Sequence, residues 1–234
     1  EQLATFIPYR SVNRSHYQKD PLPPKLAEHI NGLLDDGFSL QLFNKNSQKE
    51  QIIHLNMLAT QVRLVLKEAH HVHQQVIQWE EGKTDYGIPY NATGLSKPTT
   101  FLMRRLINDW GKMRFINEKL GGAFFASLEL DWLPGKNTAA FLAIHAPKSL
   151  ETMSDEELIL AGMQIQRTWL YLTKMNIALQ PCYMSIILAY YQRHQKTLSD
   201  NPKTTKKIAQ LAKQFSKIGL TDKTIFMEIG RAHV

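Results

Sequence analysis

Thr138-Ala-Ala-Phe-Leu-Ala-Ile-His-Ala146 carries almost nothing polar, and Ser154-Asp155-Glu156-Glu157 begins eight residues after it ends. A continuous apolar run of this length reads as a strand buried on both faces. The second stretch is a capping-box start: a serine whose side chain can bond the third helical N–H, and a glutamate three residues on that can bond back. The helix it opens runs to about Met175. A buried strand beside a long helix is half of a layered α+β packing, and the flanking sequence decides whether the other half is present.

Downstream, Ile177 to Gln180 reads as a short extended link, and Pro181 as the start of an apolar helix to about Gln195, since proline is tolerated in a first turn. Seven lysines fall between Lys196 and Lys223, with Ile208, Leu211, Ala212, Phe215 and Ile218 at helical spacing among them. That is an amphipathic helix with a lysine-rich outer face. Lys223 to Ile229 reads as a last strand. Upstream, Phe38 to Phe43 alternates with period two, as a half-buried strand does. Ser47 is placed to cap a long run with Gln51, Ile52, Leu55, Leu58, Val62, Val65, Leu66 and Ala69 on one face, continuing past a break near His70 to Trp79. Pro23 opens a short helix, Lys25 to Asp35. Residues 81–100 form a glycine- and proline-marked loop, and a helix from Thr100 to Leu120 follows it. The pattern predicts an α+β chain, a helix-wrapped mixed sheet, with strands near 38–43, 138–146 and 223–229 and long helices near 50–78 and 155–175.

Composition bounds the function. The 234 residues are 43% apolar and 21% charged, ordinary for a globular chain and unlike a disordered one. No apolar stretch reaches the eighteen residues of a membrane span, and residues 1–24 have no apolar signal core. The single cysteine, Cys182, excludes an intramolecular disulfide and fits a reducing cytoplasm. The chain begins without Met and ends just after a strand-like run, which reads as a piece of a longer protein. The net charge of +7 suits anionic partners. The lysine-rich helix lacks the interleaved aromatics and arginines of a nucleic-acid face, so a solvated surface is the favoured reading there.

Few segments carry chemistry on residue type alone. His70 and His73 share a helix face but lack a third metal ligand. Cys182 sits in an apolar run as a packing residue. No phosphate-binding glycine loop and no recognisable hydrolase triad is present. The stretch Arg10-Ser11-Val12-Asn13-Arg14 is richer. Two guanidinium groups, a hydroxyl and an amide within five residues form a phosphate-binding inventory, because arginine forks match phosphate oxygens.

That stretch, continuing as Ser15-His16-Tyr17 and then Pro21-Leu22-Pro23-Pro24-Lys25-Leu26, resembles the opening of flavin-dependent nitroreductases. Four later segments fall in that family's order. The loop with Asp85-Tyr86-Gly87-Ile88-Pro89, the helix Ala161-Gly162-Met163-Gln164-Ile165-Gln166-Arg167-Thr168-Trp169-Leu170, the turn Asn176 to Pro181, and the terminal Phe226-Met227-Glu228-Ile229-Gly230-Arg231-Ala232 resemble segments of a divergent two-lobed subgroup. The family's Asn/Gln-bearing segment after the first helix is not provided by Gly37 to Ser47.

The resemblance implies one nitroreductase-like α+β domain over residues 1–234, with a central mainly antiparallel sheet wrapped by long helices, that binds FMN. It implies transfer of hydride from NAD(P)H to a small oxidised acceptor, with the flavin rather than a side chain carrying the chemistry. It implies cofactor contacts from Arg10, Ser11, Asn13, Arg14, Gln180, Pro181 and Arg231, with Tyr183 as a wall over the ring. The flavin would lie between two lobes, so the partner is a second copy of the chain in a homodimer, or an upstream lobe of the same protein. The alternative is a non-catalytic flavin-binding or partner domain. Neither membrane nor nucleic acid is implied.

Overall fold

The computed structural model describes residues 2–14, 21–80 and 86–232, the side chains of residues 229–232 excepted. The chain is α+β around a four-stranded sheet. The strands are β1 (Ser39–Phe43), β4 (Ala140–His145), β5 (Ile177–Pro181) and β6 (Thr224–Ala232), in spatial order β1-β4-β6-β5 with every pair antiparallel. A separate two-residue parallel pair joins β2 (Ile77–Gln78) to β3 (Ile88–Pro89). Helices α1 (Leu26–Asn31), α2 (Asn46–Arg63), α3 (Lys67–Val76), α4 (Lys97–Leu106), α5 (Trp110–Lys119), α6 (Gly122–Ser127), α7 (Leu133–Asn137), α8 (Asp155–Lys174), α9 (Met184–Arg193) and α10 (Pro202–Lys217) surround these strands.

The central strand β4 is apolar on both faces because both faces are covered. On one side Phe141 and Ala143 pack with Phe43, Met227, Ile52 and Leu55 of α2, Leu188 of α9 and Phe215 of α10. On the other, Leu142 and Ile144 pack with Phe226, Leu179, Leu26 and Ile30 of α1, and Trp169 and Leu172 of α8. Each large apolar side chain buried in this way contributes roughly 1.5–3 kcal/mol. The capping box at Ser154 is formed, with Glu157 N donating to Ser154 Oγ and Ser154 N donating to Glu157 Oε2.

Both outer strands have their edges occupied. The Asn31 side chain donates to Leu40 O and accepts from Leu40 N, at 3.2 and 2.7 Å, so α1 closes the β1 edge. On the far side Val12 bridges Leu179 in parallel, and Asn13 N donates to Leu179 O at 2.9 Å. The N-terminal segment is thus laid against β5, which fixes where Arg10 to Arg14 begin.

The structure departs from the sequence reading in several places. Ser47 does not cap α2: it lies inside that helix, whose N-cap is Lys45 with no side-chain cap bond. The stretch 81–100, read as a loop, holds β3 and the first turn of α4 among its described residues. The long helix near 50–78 is two helices, broken at Leu64 to Leu66 rather than at His70. Leu66 leaves helical geometry with ψ 130° and buries its side chain as it does so. The helix drawn from Thr100 to Leu120 is likewise two, because Asp109 Oδ1 accepts from Lys112 N and starts α5 afresh. The extended link at 177–180 is a full sheet strand paired along β6. Pro181 therefore ends a strand, and α9 opens only at Met184.

Candidate functional site

Arg14, at the end of the segment pinned to β5, faces a cavity of about 200 Å³. Gln180, Pro181, Cys182 and Tyr183 supply one wall of it, from the end of β5 and the turn that leads to α9. Cys182 N donates to Met227 O at 2.8 Å, which holds this turn against β6. The opposite wall is α2, through Asn56, Thr60 and Arg63, together with His73 of α3. A third wall is the loop Ile88 to Leu95. Gly94 takes φ +85° in that loop, and its Cα side is closed by the backbone of Arg14, where an added Cβ would meet the carbonyl oxygen at 3.3 Å. Only a residue without a Cβ adopts that turn at no steric cost.

The cavity floor comes from the least regular part of the chain. Between α6 and α7 the helix widens into one π-helical turn, Leu128–Trp132. Such turns insert a residue and re-aim the side chains around it. Here Leu130 and Asp131 face the cavity.

The electrostatics are those of a mostly cationic, partly dehydrated recess. Arg63 Nε is sealed from solvent with no hydrogen-bond partner among the described residues, and burial works against its charge. Asp131 Oδ2 is likewise sealed and without a partner. Burial pushes the Asp131 carboxyl up to about 6, against the opposing pull of a Thr60 hydrogen bond and the Arg63 charge. Burial holds His73 down to about 4, with Arg63 and His70 adding to the effect, so it is neutral at pH 7. The Cys182 thiol is driven well up by burial, and the Tyr183 phenol is pushed up to about 12, by burial first and by Glu228 second.

Of the residues the sequence nominated, Arg14, Gln180 and Pro181 line the cavity, as does Tyr183. Arg10 is not among the lining residues; its guanidinium lies over the Trp169 ring, 4.5 Å from the centroid. Ser11 is exposed, and Asn13 is tied to β5 through its backbone. Arg231 stands in β6 opposite Ala178, and its side chain lies outside the described residues, as do Tyr17 and Asp85 altogether. Arg167 ties α8 to the residues after α1, donating to Leu33 O and to Asp35 Oδ1 at 2.8 and 2.7 Å. His70 packs on Trp110 while His73 faces the cavity, so the two rings do not converge. The lysine-rich α10 buries Thr204, Ile208, Leu211 and Phe215 and exposes Lys203, Lys206, Lys213 and Lys217.

Sequence reasoning missed Arg63, Asp131 and Thr60, and weighed His73 only as a metal ligand. A signal existed for the α2 residues: Asn56, Thr60 and Arg63 recur at helical spacing as a polar stripe within an apolar helix. Asp131 has no such signature, because a π-turn is not marked by local residue type.

Solved structures of similar fold put a family beside this geometry. The chain is similar over nearly its whole length to FMN-dependent nitroreductases. The FMN and NADPH-dependent nitroreductase NfnB from Sphigopyxis sp. strain HMH is 13% identical with a TM-score of 0.48, covering 99% of this chain and 88% of its own. The FMN-dependent NfnB from Mycobacterium smegmatis, solved in complex with NADPH, is 12% identical with a TM-score of 0.47 and the same coverage. A nitroreductase from Bacteroides fragilis NCTC 9343 with bound FMN is 10% identical with a TM-score of 0.45, covering 100% of this chain and 89% of its own. No protein-family model and no curated protein matches the sequence. No helix among the described residues is long and apolar enough to cross a membrane.

Proposed function

We propose that the protein is an FMN-dependent oxidoreductase of nitroreductase type that passes hydride from NAD(P)H to a small oxidised acceptor. The observation that carries this reading is convergence. Arg14, from the motif at the chain's start, and Gln180 to Tyr183, from the motif near its end, meet at one cavity.

The residues present suit the cofactor. The Arg14 and Arg63 guanidiniums are donors for phosphate or carbonyl oxygens, and the sealed, unpartnered Arg63 Nε needs an acceptor of that kind. Gln180 can donate or accept at the ring edge. Pro181 and Tyr183 offer an apolar wall for a planar ring. When bound, FMN supplies the hydride chemistry, and the protein supplies binding, orientation and electrostatics. The recess is bounded by α2, the turn after β5 and the loop 88–95.

One chain holds only part of the site. A cavity of about 200 Å³ is below the ~300–1,000 Å³ of most ligand pockets. The surface also leaves Phe101, Phe115, Phe124, Phe125, Ile159 and Met163 about half exposed or more. Apolar surface of that extent marks an interface. We therefore take the working unit to be a homodimer, burying the more than ~2,000 Å² of obligate interfaces. The free Cys182 suits a reducing compartment such as the cytoplasm.

The test is direct. Purified protein is titrated with FMN by flavin fluorescence, then mixed anaerobically with NADPH while the 450 nm band is followed. Saturable binding and bleaching support the reading. Binding without bleaching points to a flavin-holding partner domain, and no binding ends both.

A further inference from the structure

We propose that Asp131 is the group that hands a proton to the oxygen of the acceptor in this cavity. The inference rests on the flavin reading above and extends it, since the resemblance assigns the chemistry to the cofactor and no role to any acid. Three geometric observations carry it. Asp131 sits on the π-turn Leu128–Trp132, a local distortion of a helix, and is one of the residues that line the cavity. Among the described residues it is the one carboxylic acid lining that cavity. Its Oδ2 is sealed from solvent with no hydrogen-bond partner among the described residues, so a proton held there has no acceptor among them.

The other groups facing Asp131 cannot take the role. From α2 come Asn56, Thr60 and Arg63, from α3 His73, from the N-terminal segment Arg14, and from the turn after β5 Cys182 and Tyr183. His73 is neutral, and the thiol and phenol hold their protons too tightly. The arginines do not release theirs at neutral pH. The Asp131 carboxyl, raised to about 6 by burial, exchanges its proton near neutrality, where a general acid works best. Arg63 stands near enough to stabilise the carboxylate left behind.

With a quinone as acceptor the step balances as follows. The hydride supplied by the reduced cofactor forms an O–H bond at one carbonyl oxygen. The ring π electrons shift onto the other oxygen, which takes the Asp131 proton. The quinone is reduced by two electrons to the quinol, the cofactor is oxidised, and water returns a proton to the Asp131 carboxylate.

The experiment has two arms on the full chain. In the first, protein carrying 13C-labelled aspartate is titrated by NMR without flavin. One carboxyl titrating near pH 6 and absent in Asp131→Asn is expected; no aspartate titrating above pH 5 overturns the proposal. In the second, FMN-loaded wild type and Asp131→Asn are reduced with NADPH and reoxidised with p-benzoquinone in single turnovers. We expect the reduction step within about 2-fold, and reoxidation slowed ~100-fold or more, the usual scale for a lost general acid. Asp131→Glu should recover part of the rate. Equal reoxidation in wild type and Asp131→Asn overturns the role of Asp131 and leaves the flavin reading standing. Failure of the wild type to bind FMN overturns both.

Discussion

The Arg10 guanidinium lies over the indole of Trp169, while Arg14, four residues on, lines the cavity. The two arginines of one motif thus have different surroundings. Losing a charge-assisted contact to a cofactor costs roughly 1.5–3 kcal/mol. At 1.4 kcal/mol per decade, Arg14→Ala should weaken FMN about 10- to 150-fold. Arg10→Ala should change FMN affinity less than about 3-fold and should lower stability by roughly 0.5–2 kcal/mol, the range for a cation–π contact between a half-buried guanidinium and a buried ring. Flavin titration and urea midpoints separate the two, and reversed ranks would return Arg10 to the cofactor.

Gly94 sets the loop against Arg14. Alanine there must hold φ +85° and also press a Cβ onto the Arg14 carbonyl at 3.3 Å. A left-handed residue costs roughly 1–2 kcal/mol. Gly94→Ala should lose about that much stability and should weaken FMN as well, because the loop or Arg14 must shift. A variant that melts lower but binds FMN normally would show that the loop yields and Arg14 stays.

Much of this molecule was legible in the sequence, for definite physical reasons. The strand at 140–145 is buried on both faces, so its apolar run stands out, and the helix after it announces itself through the Ser154 capping box. Strand β5 was read only as a link, because it is five residues long and ends in Gln180-Pro181; its identity comes from pairing with β6, a non-local fact. The site divided in the same way. Arg14, Gln180 and Pro181 belong to segments whose order is readable. Arg63, Thr60, His73 and Asp131 are brought together by helix packing and a π-turn.

Gln164 is fully buried on α8 and completes a buckle. Its Nε2 donates to Asp35 Oδ2 at 2.8 Å, and its Oε1 accepts from Asp35 N and from Arg167 Nη1 at 3.2 Å each. Arg167 holds the Asp35 carboxyl below its usual range through its hydrogen bond. Gln164→Ala removes these bonds to Asp35 and Arg167, which are exposed enough for water to take over, and should cost about 0.5–1.5 kcal/mol. FMN affinity should not move, since the buckle lies on the α1–α8 side of the sheet. A change in flavin binding larger than about 3-fold would tie this motif helix to the cofactor instead.

Glu228 is fully buried in β6, between Leu142 and Pro181, with neither carboxylate oxygen hydrogen-bonded. Burial raises its carboxyl well above the usual range. The folded state therefore binds a proton that the unfolded state releases, and stability falls as pH rises above about 4.5. Glu228→Gln removes that loss. Its melting temperature should exceed that of the wild type at pH 8 by more than at pH 5. An equal difference at both pH values would mean that Glu228 does not titrate on unfolding.

His73 and Asp131 face one cavity with opposite linkages to pH. His73 falls from 6.5 unfolded to about 4 folded, so between those values the unfolded chain binds more protons and stability rises with pH. Asp131 rises from 3.8 to about 6, so over nearly the same window the folded chain binds more protons and stability falls with pH. At 1.36 kcal/mol per unit they amount to at most ~3.4 kcal/mol for His73 and ~3 kcal/mol for Asp131, and the two nearly cancel in the wild type. Removing one unmasks the other. Relative to wild type, Asp131→Asn should gain stability steadily from pH 4 to 6, and His73→Gln should lose its advantage over the same range. Urea midpoints at pH 4, 5, 6 and 7 give the comparison, and the remaining carboxylates add the same background to all three proteins. Curves for both variants that run parallel to the wild type would show that neither group is dehydrated in the folded chain, and the acid role of Asp131 would lose its physical basis with them.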